Sequence, residues 1–364
     1  MKGFIRKIIF GLNSITALCL ILAYISPYVN PISFWPISFL GLAAPYLILF
    51  QLLFLLVWLL LKDKYILLPI VVLLLGFQTI PRFIQIFPKK IQTTEKGFKV
   101  MSFNVRLFDL YMWTKEKEMR SNIFKFLKEE DPDVLCIQEF YHSDGTKYEF
   151  NTIDSLVNIL EAKNYHVYYT QTQREFNHWG IITFSKYPIV NKGLVPFDEV
   201  SDNVCIYTDI VKGKDTLRLY NAHLASLRLE RRDYKTVKKE QEEEFSPDFK
   251  EGKRMHSKIR NGFKVRALQA DSIHQSIKDC SYPIIFCGDF NDTPSSYAYQ
   301  KVKGNLVDAF QKSGKGMGRT YIGKLPSFRI DYILHDKRFA SSGFITHDIE
   351  LSDHRPISTY LSLE

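Results

Sequence analysis

Six short apolar runs in this 364-residue sequence end in Asn, Asp, Glu or His. Residues 100–104 end in Asn104 and residues 134–139 in Glu139. Residues 219–223 deliver Asn221 and His223. Residues 284–292 pass through Gly288 into Asp289, Phe290 and Asn291. Residues 329–333 carry Asp331, and residues 352–356 set Asp353 beside His354. Any one of these groups alone is an ordinary turn residue, loop charge or core histidine. Six of them at strand-like ends define a narrow chemistry. Oxygen donors such as Asn104 and Glu139 suit Mg²⁺, with Mn²⁺ as the alternative. There is no His-x₃-His or Cys-x-x-Cys spacing for zinc. Two histidines supply donors for an anionic oxygen or proton transfer near neutral pH. Asp331 is suited to fix the tautomer of His354. Without a glycine-rich phosphate loop, the set points to hydrolysis of a phosphate ester by activated water.

The elements that must position these groups alternate between short strands and helices. Strands are expected at 98–103, 133–137, 165–170, 180–184, 329–334, 343–347 and 356–361, with a hairpin of 204–211 and 216–222 around Lys212-Gly213-Lys214-Asp215. The run 283–287 reads as a buried central strand, and Gly288 as a place where something approaches the backbone. Helices are expected at 115–130, where Ile123, Phe124 and Leu127 share a face, and at 152–162, 253–277 and 297–302. Strands outnumber helices and many are hairpin-linked. The expected fold is therefore α/β, with two mixed sheets packed together under outer helices. The stretch 228–258 is dense in both charges and reads as a solvated insertion, with a substrate-gripping loop as the alternative. Asp308 and Thr320 read as structural.

Before about residue 90 the composition is different. Apolar runs at 8–29, 37–61 and 65–85 are nearly free of charge, and each approaches the roughly 20 residues that cross a bilayer. They define a three-helix transmembrane region over 1–90, followed by a catalytic domain over 96–364. Lys2, Arg6 and Lys7 precede the first run, and Lys62 and Lys64 separate the second from the third. The positive-inside rule then places the N-terminus in the cytoplasm and the domain outside, the topology of a bacterial inner-membrane protein. Arg82, Lys89 and Lys90 pull mildly the other way. The net charge of +9 suits an anionic partner without naming one. The five cysteines read as free thiols.

In type and order these motifs resemble the endonuclease/exonuclease/phosphatase superfamily, the deoxyribonuclease I-like fold. Gly288-Asp289-Phe290-Asn291 with Ser352-Asp353-His354 carries the resemblance, and Phe103-Asn104-Val105-Arg106 and Gln138-Glu139 strengthen it. It implies a four-layer α/β sandwich with the site where the sheets open. It further implies that Asn104, Glu139 and Asp353 lie at the metal and that Asp289 orients or deprotonates water. Asn291 and His223 would hold the scissile phosphate, with His354, paired to Asp331, at the phosphate or in proton transfer. Arg106 stands where some nucleases of the superfamily have a further acid. Asn177 and His178 are candidate stand-ins for a phosphate-binding residue.

The substrate classes this leaves open are nucleic acid, a phospholipid headgroup and an inositol phosphate. No nucleic-acid-reading module is visible. The competing reading is a membrane-tethered binding or scaffold protein that uses the same fold without catalysis.

Overall fold

A computed structural model describes residues 2–86, 97–114, 116–145, 150–197, 203–226, 249–323 and 328–364. Most of the charged stretch at 228–258 lies outside the described residues.

The apolar N-terminal segment forms α1 (Lys2–Ile25), α2 (Pro31–Phe34), α3 (Pro36–Leu42), α4 (Ala44–Leu60) and α5 (Leu67–Leu75). The three expected membrane spans are corrected here. Among the described residues, one helix is long and apolar enough to cross a membrane, Gly3–Tyr28. The second expected span is broken: α3 and α4 meet at 62°. Pro36 and Pro45 each sit in the first turn of a helix, where a missing N–H costs nothing. They start helices instead of continuing one. The third expected span shrinks to α5, whose nine residues rise about 14 Å against a hydrocarbon layer of about 30 Å.

The helices of this bundle turn apolar faces both ways. Ala17, Leu20, Ala23, Ala44, Ile48 and Val72 pack inside. Leu12, Ile15 and Leu18 on α1, and Leu49, Leu53 and Leu56 on α4, are exposed. The polar groups are inside: Asn13 Nδ2 donates to Gln51 Oε1 at 3.0 Å, and Trp58 Nε1 donates to Asn13 Oδ1 at 3.1 Å. Arg6 pairs with Asp63 at 2.8 Å, so the start of α1 and the loop after α4 lie at one end.

The rest of the chain forms β1 (Phe98–Asn104), α6 (Met119–Glu130), β2 (Val134–Ser143), α7 (Thr152–Leu160), β3 (Asn164–Gln173), β4 (Asn177–Ser185), β5 (Ile189–Val195), β6 (Val204–Lys212) and β7 (Asp215–His223). It continues through α8 (Phe249–Lys278), β8 (Ile284–Asp289), α9 (Tyr297–Lys303), β9 (Val307–Asp308), α10 (Ala309–Ser313), β10 (Asp331–His335), β11 (Phe339–Thr346) and β12 (Ile357–Leu363). One sheet has the order β11-β12-β1-β2-β4-β3, the other β5-β6-β7-β8-β10-β9. Val100, Cys136, Leu219, Ile285 and Cys287 meet between the sheets. Helices α6 and α7 cover the outer face of the first sheet, and α8 and α9 that of the second. The α/β reading with two mixed sheets under flanking helices stands. All five cysteines are free.

Two strand pairs are parallel, β1 with β2 and β7 with β8. A parallel pair needs a long crossover, and its strands point the same way. Asn104, His223 and Asp289 close β1, β7 and β8 at one rim, and Glu139 joins them from a bulge within β2. The glycine of the Cys-Gly-Asp segment has a specific cause. A Cβ on Gly288 would stand 2.3 Å from the Ala222 carbonyl oxygen, so it is β7 that approaches.

The bundle docks on the sandwich through its bend. A Cβ on Gly41 would come within 2.8 Å of the Ser295 carbonyl oxygen. Phe39 stacks on His256 at 4.9 Å and meets Phe263 edge-on at 5.3 Å. Arg329 donates to the Arg82 carbonyl oxygen at 2.8 Å.

Candidate active site

The rim gathers its side chains by register. Asp289 is the partner of His223 across β7–β8 and of Asp331 across β8–β10. Asn104 ends β1 beside Gln138 of β2. Glu139, the next residue, sits at a register shift in β2 and has φ +49°. Such a bulge re-aims a side chain next to a site. Asn291 also holds a left-handed backbone, φ +51°. Non-glycine residues in that region cost roughly 1–3 kcal/mol each, which surrounding contacts must offset.

Asp289 is at the centre, fully buried. Its Oδ1 accepts from the Asn291 backbone N at 2.8 Å, and its Oδ2 from Asn104 Nδ2 at 3.0 Å. The same Oδ2 lies 3.7 Å from His223 Nε2 and 3.7 Å from His354 Nε2. Burial pushes the Asp289 carboxyl up to about 6, and Asp331 pushes the same way, against the pull of the two histidines. His354 Nδ1 donates to Asp331 Oδ2 at 2.9 Å. Burial disfavours the His354 imidazolium, but Asp331 and Asp289 outweigh it and hold its pKa well above the usual histidine range. At neutral pH the site therefore carries an imidazolium beside a carboxylate with a raised pKa.

Glu139 of β2 and Asp353 of the loop before β12 face the same cavity. Burial raises the Glu139 pKa, and the nearby Asp353 raises it further. Asn104 Nδ2 donates to Glu139 Oε1 at 3.3 Å, and His223 Nε2 is 3.7 Å from that oxygen. An oxygen-only pair of mutually repelling carboxylates at an open cavity fits a hard divalent cation. Asp289, Asp331 and His354 also offer donor atoms within 4.8 Å of one another. A cation held by all three would compete with the Asp331–His354 hydrogen bond, and the family of contacts around Asp289 is already hydrogen-bonded, so Glu139 is the better donor.

Further residues join the rim, of which the motifs did not single out Trp113 and Tyr321. Arg106 Nε lies 3.3 Å from Asp353 Oδ2, and its guanidinium covers the Trp113 ring at 4.5 Å. It belongs to a left-handed turn, Arg106 to Asp109, anchored by its own N–H donating to Asn104 Oδ1 at 3.0 Å. Tyr321 meets the His354 ring edge-on at 5.4 Å. Thr320 Oγ1 accepts from the Asp331 backbone N at 3.1 Å and so fixes the acid behind the histidine. A run of contacts from separate loops leaves no periodic signal in sequence.

Three residues named from sequence lie elsewhere. Asn221 pins the two sheets together, donating to the Ile182 carbonyl oxygen at 2.9 Å and accepting from Gln138 at 2.7 Å. Asn177 accepts from Tyr141 at 2.7 Å, and His178 stacks on Tyr169 at 4.3 Å. Neither lines the cavity, which corrects their reading as phosphate-binding stand-ins. Asp308 is structural: it pairs with buried Arg329 at 2.8 Å and caps α10.

A two-sheet sandwich with carboxylates, amides and histidines at one rim defines the class of fold and site. Comparison with known proteins gives the class its family. The Endonuclease/Exonuclease/phosphatase family profile matches residues 101–354, and this chain belongs to that family. A domain of unknown function, DUF8431, matches residues 6–83. No curated protein matches the sequence. Among solved structures, an endonuclease/exonuclease/phosphatase from Bacteroides vulgatus is 17% identical with a TM-score of 0.54, covering 74% of this chain and 100% of its own. A family protein from Bacteroides thetaiotaomicron is also 17% identical, TM-score 0.51, covering 74% and 98%. The human Nocturnin catalytic domain, with bound sulfate, is 15% identical, TM-score 0.51, covering 75% and 95%. At these identities the likeness is one of fold.

Proposed function

We propose that this chain is a membrane-anchored phosphoesterase that uses Mg²⁺, or Mn²⁺, to hydrolyse a phosphate ester. The observation that carries this is Asp289, fixed by Asn104 and Asn291 between His223 and His354. Glu139, with Asn104 and Asp353 beside it, would hold the cation. When bound, the cation would polarise the phosphate and offset its charge.

The chain's own residues do the rest. Asp289 orients a water and takes its proton as the water oxygen bonds to phosphorus. The raised Asp289 pKa makes it a base suited to pH near neutral. Asn291 and His223 hold the phosphate oxygens. The His354 imidazolium, kept charged by Asp331, stabilises the charge that builds there and supplies a proton to the leaving alcohol oxygen as its bond to phosphorus breaks.

The anchoring reading rests on the bundle. Its exposed Leu, Ile and Phe side chains need an apolar solvent. Lys62 and Lys64 follow α4 at the Arg6–Asp63 end, whereas α4 meets the sandwich at its start, through Tyr46. Arg82, whose charge pulls against this orientation, faces the sandwich and donates to the Pro294 carbonyl oxygen at 3.4 Å. The orientation proposed is a bacterial inner membrane with the catalytic domain outside.

The test uses the full chain in lipid nanodiscs with bis(p-nitrophenyl) phosphate and p-nitrophenyl phosphate. Turnover should require Mg²⁺, stop with EDTA and fall roughly 10²–10⁴-fold in His354→Ala. A folded wild-type protein that hydrolyses neither ester would favour a binding scaffold instead.

A further inference from the structure

The catalytic rim opens into a cavity of about 600 Å³ with two unlike ends. Arg106, Glu139, Asn291, Asp353 and His354 line one end. At the other, Phe39, Leu42, Ala43 and Tyr46 come from the N-terminal bundle, and Phe263 and Phe328 from the sandwich. The bundle therefore supplies a wall of the site. That wall is the break between α3 and α4, where the chain turns through 62°. It is seated by contact: Phe39 packs on His256 and Phe263, and Tyr46 meets Phe328 edge-on at 6.5 Å. Beyond Tyr46 the apolar surface continues along α4 as exposed Leu49, Phe50 and Leu53.

Among the described residues, the charges around the cavity argue against a polyanion. A nucleic-acid strand needs a basic groove along its backbone. Here the two lining arginines are already paired, Arg106 with Asp353 at 3.3 Å and Arg266 with Asp292 at 2.9 Å. Beyond the catalytic residues, the remaining described wall is aromatic and aliphatic apart from Ser226 and Thr293. One phosphate at the rim and a hydrocarbon along the bundle match both ends.

We propose that the substrate is a phosphate ester of a lipid, with its phosphate at Asn291 and His354 and its acyl chain against Leu42, Ala43 and Tyr46. This rests on the phosphoesterase reading above. The reaction is the same hydrolysis: water adds its oxygen to phosphorus, the phosphorus–oxygen bond to the alcohol breaks, and the alcohol leaves protonated. The break between α3 and α4 then has a use that an unbroken span would lack, because it brings membrane-facing side chains to the catalytic rim.

The experiment measures kcat/KM of the full chain in nanodiscs for phosphatidic acid and phosphatidylglycerol with four-carbon and eight-carbon chains, all below their micelle-forming concentrations. Bis(p-nitrophenyl) phosphate and supercoiled plasmid are run beside them. Each methylene drawn out of water contributes roughly fourfold, so at least one lipid series should rise by tenfold or more, on the order expected for partial burial. Leu42→Gln should flatten that rise. Tyr46→Gln, at a half-exposed position that tolerates a polar group in folding, should flatten it too. Turnover of the nitrophenyl ester with no dependence on chain length would overturn the lipid assignment and leave the phosphoesterase reading intact. Plasmid nicking without a chain-length effect would do the same and name nucleic acid. Folded protein inert toward every ester would overturn both.

Discussion

The bundle and the sandwich bury polar groups by opposite rules. The sandwich buries full charges in pairs: Arg329 with Asp308 and Arg266 with Asp292. Its outside is polar. At its centre the bundle buries neutral groups, Asn13, Gln51 and Trp58, linked by hydrogen bonds, and it turns leucines outward. Each region fits a different solvent. An unpaired charge inside the sandwich costs several kcal/mol because water was given up to bury it. In the bundle, polar links join helices that have no hydrophobic reason to associate in lipid. The catalytic cavity lies where these two kinds of surface meet.

The largest expected effect is chemical. Asp289→Asn keeps the size of the side chain, removes the base and turns one of its two accepting oxygens into a donor. Turnover should fall about 10²–10⁴-fold in protein that circular dichroism shows to be folded. Unchanged kcat with bound Mg²⁺ would break the account of the rim.

Two matched substitutions sharpen the contrast between regions. Arg329→Met strands Asp308 in the sandwich interior and should cost about 3–5 kcal/mol in denaturant unfolding. Asn13→Leu removes the link between α1 and α4 and should cost about 1 kcal/mol, measured in detergent by steric trapping or thermal melting. Equal costs would mean that the two regions bury polar groups alike.

Between those two in size stands a pH effect confined to the rim. Asp289 titrates at about 6 without a cation, and Glu139 is also raised. Both must be unprotonated beside a divalent ion. Mg²⁺ affinity should therefore fall as pH drops from about 7 to about 5, with protons released on binding at pH near 6. In the cation-free protein the sign reverses. The Asp289 contribution to stability is present below about 4 and is lost as pH rises through about 6. Calorimetry in two buffers of different ionisation heat measures the released protons, and a pH-independent affinity would count against the assignment.

Much of the site was legible because a strand end is a local event. Asn104, Glu139, His223 and Asp289 each follow an apolar run, and parallel pairing brings those strands side by side, while Asp331 opens a strand antiparallel to β8 and His354 precedes β12. Gly288 was legible as a close approach, though not which backbone approaches. Asn221 has the same local signature as a rim residue, yet the register points it between the sheets. The strand β5 was missed because Asn191, Lys192 and Gly193 interrupt its alternation, and only pairing with β6 defines it. The bundle was misread for a related reason. Apolar composition reports length, and a break at Pro45 leaves composition unchanged. The wall that the break makes for the cavity depends on a contact between residues more than 200 positions apart, which no local pattern encodes.

The most direct test of the central claim follows oxygen. The full chain in nanodiscs, with Mg²⁺, hydrolyses bis(p-nitrophenyl) phosphate in water enriched in heavy oxygen, and phosphorus NMR reads the product. The account predicts one heavy oxygen on phosphorus, no label in the nitrophenol, and loss of the signal in Asp289→Asn. Label in the nitrophenol, or a full signal from Asp289→Asn, would contradict water attack on phosphorus at this rim.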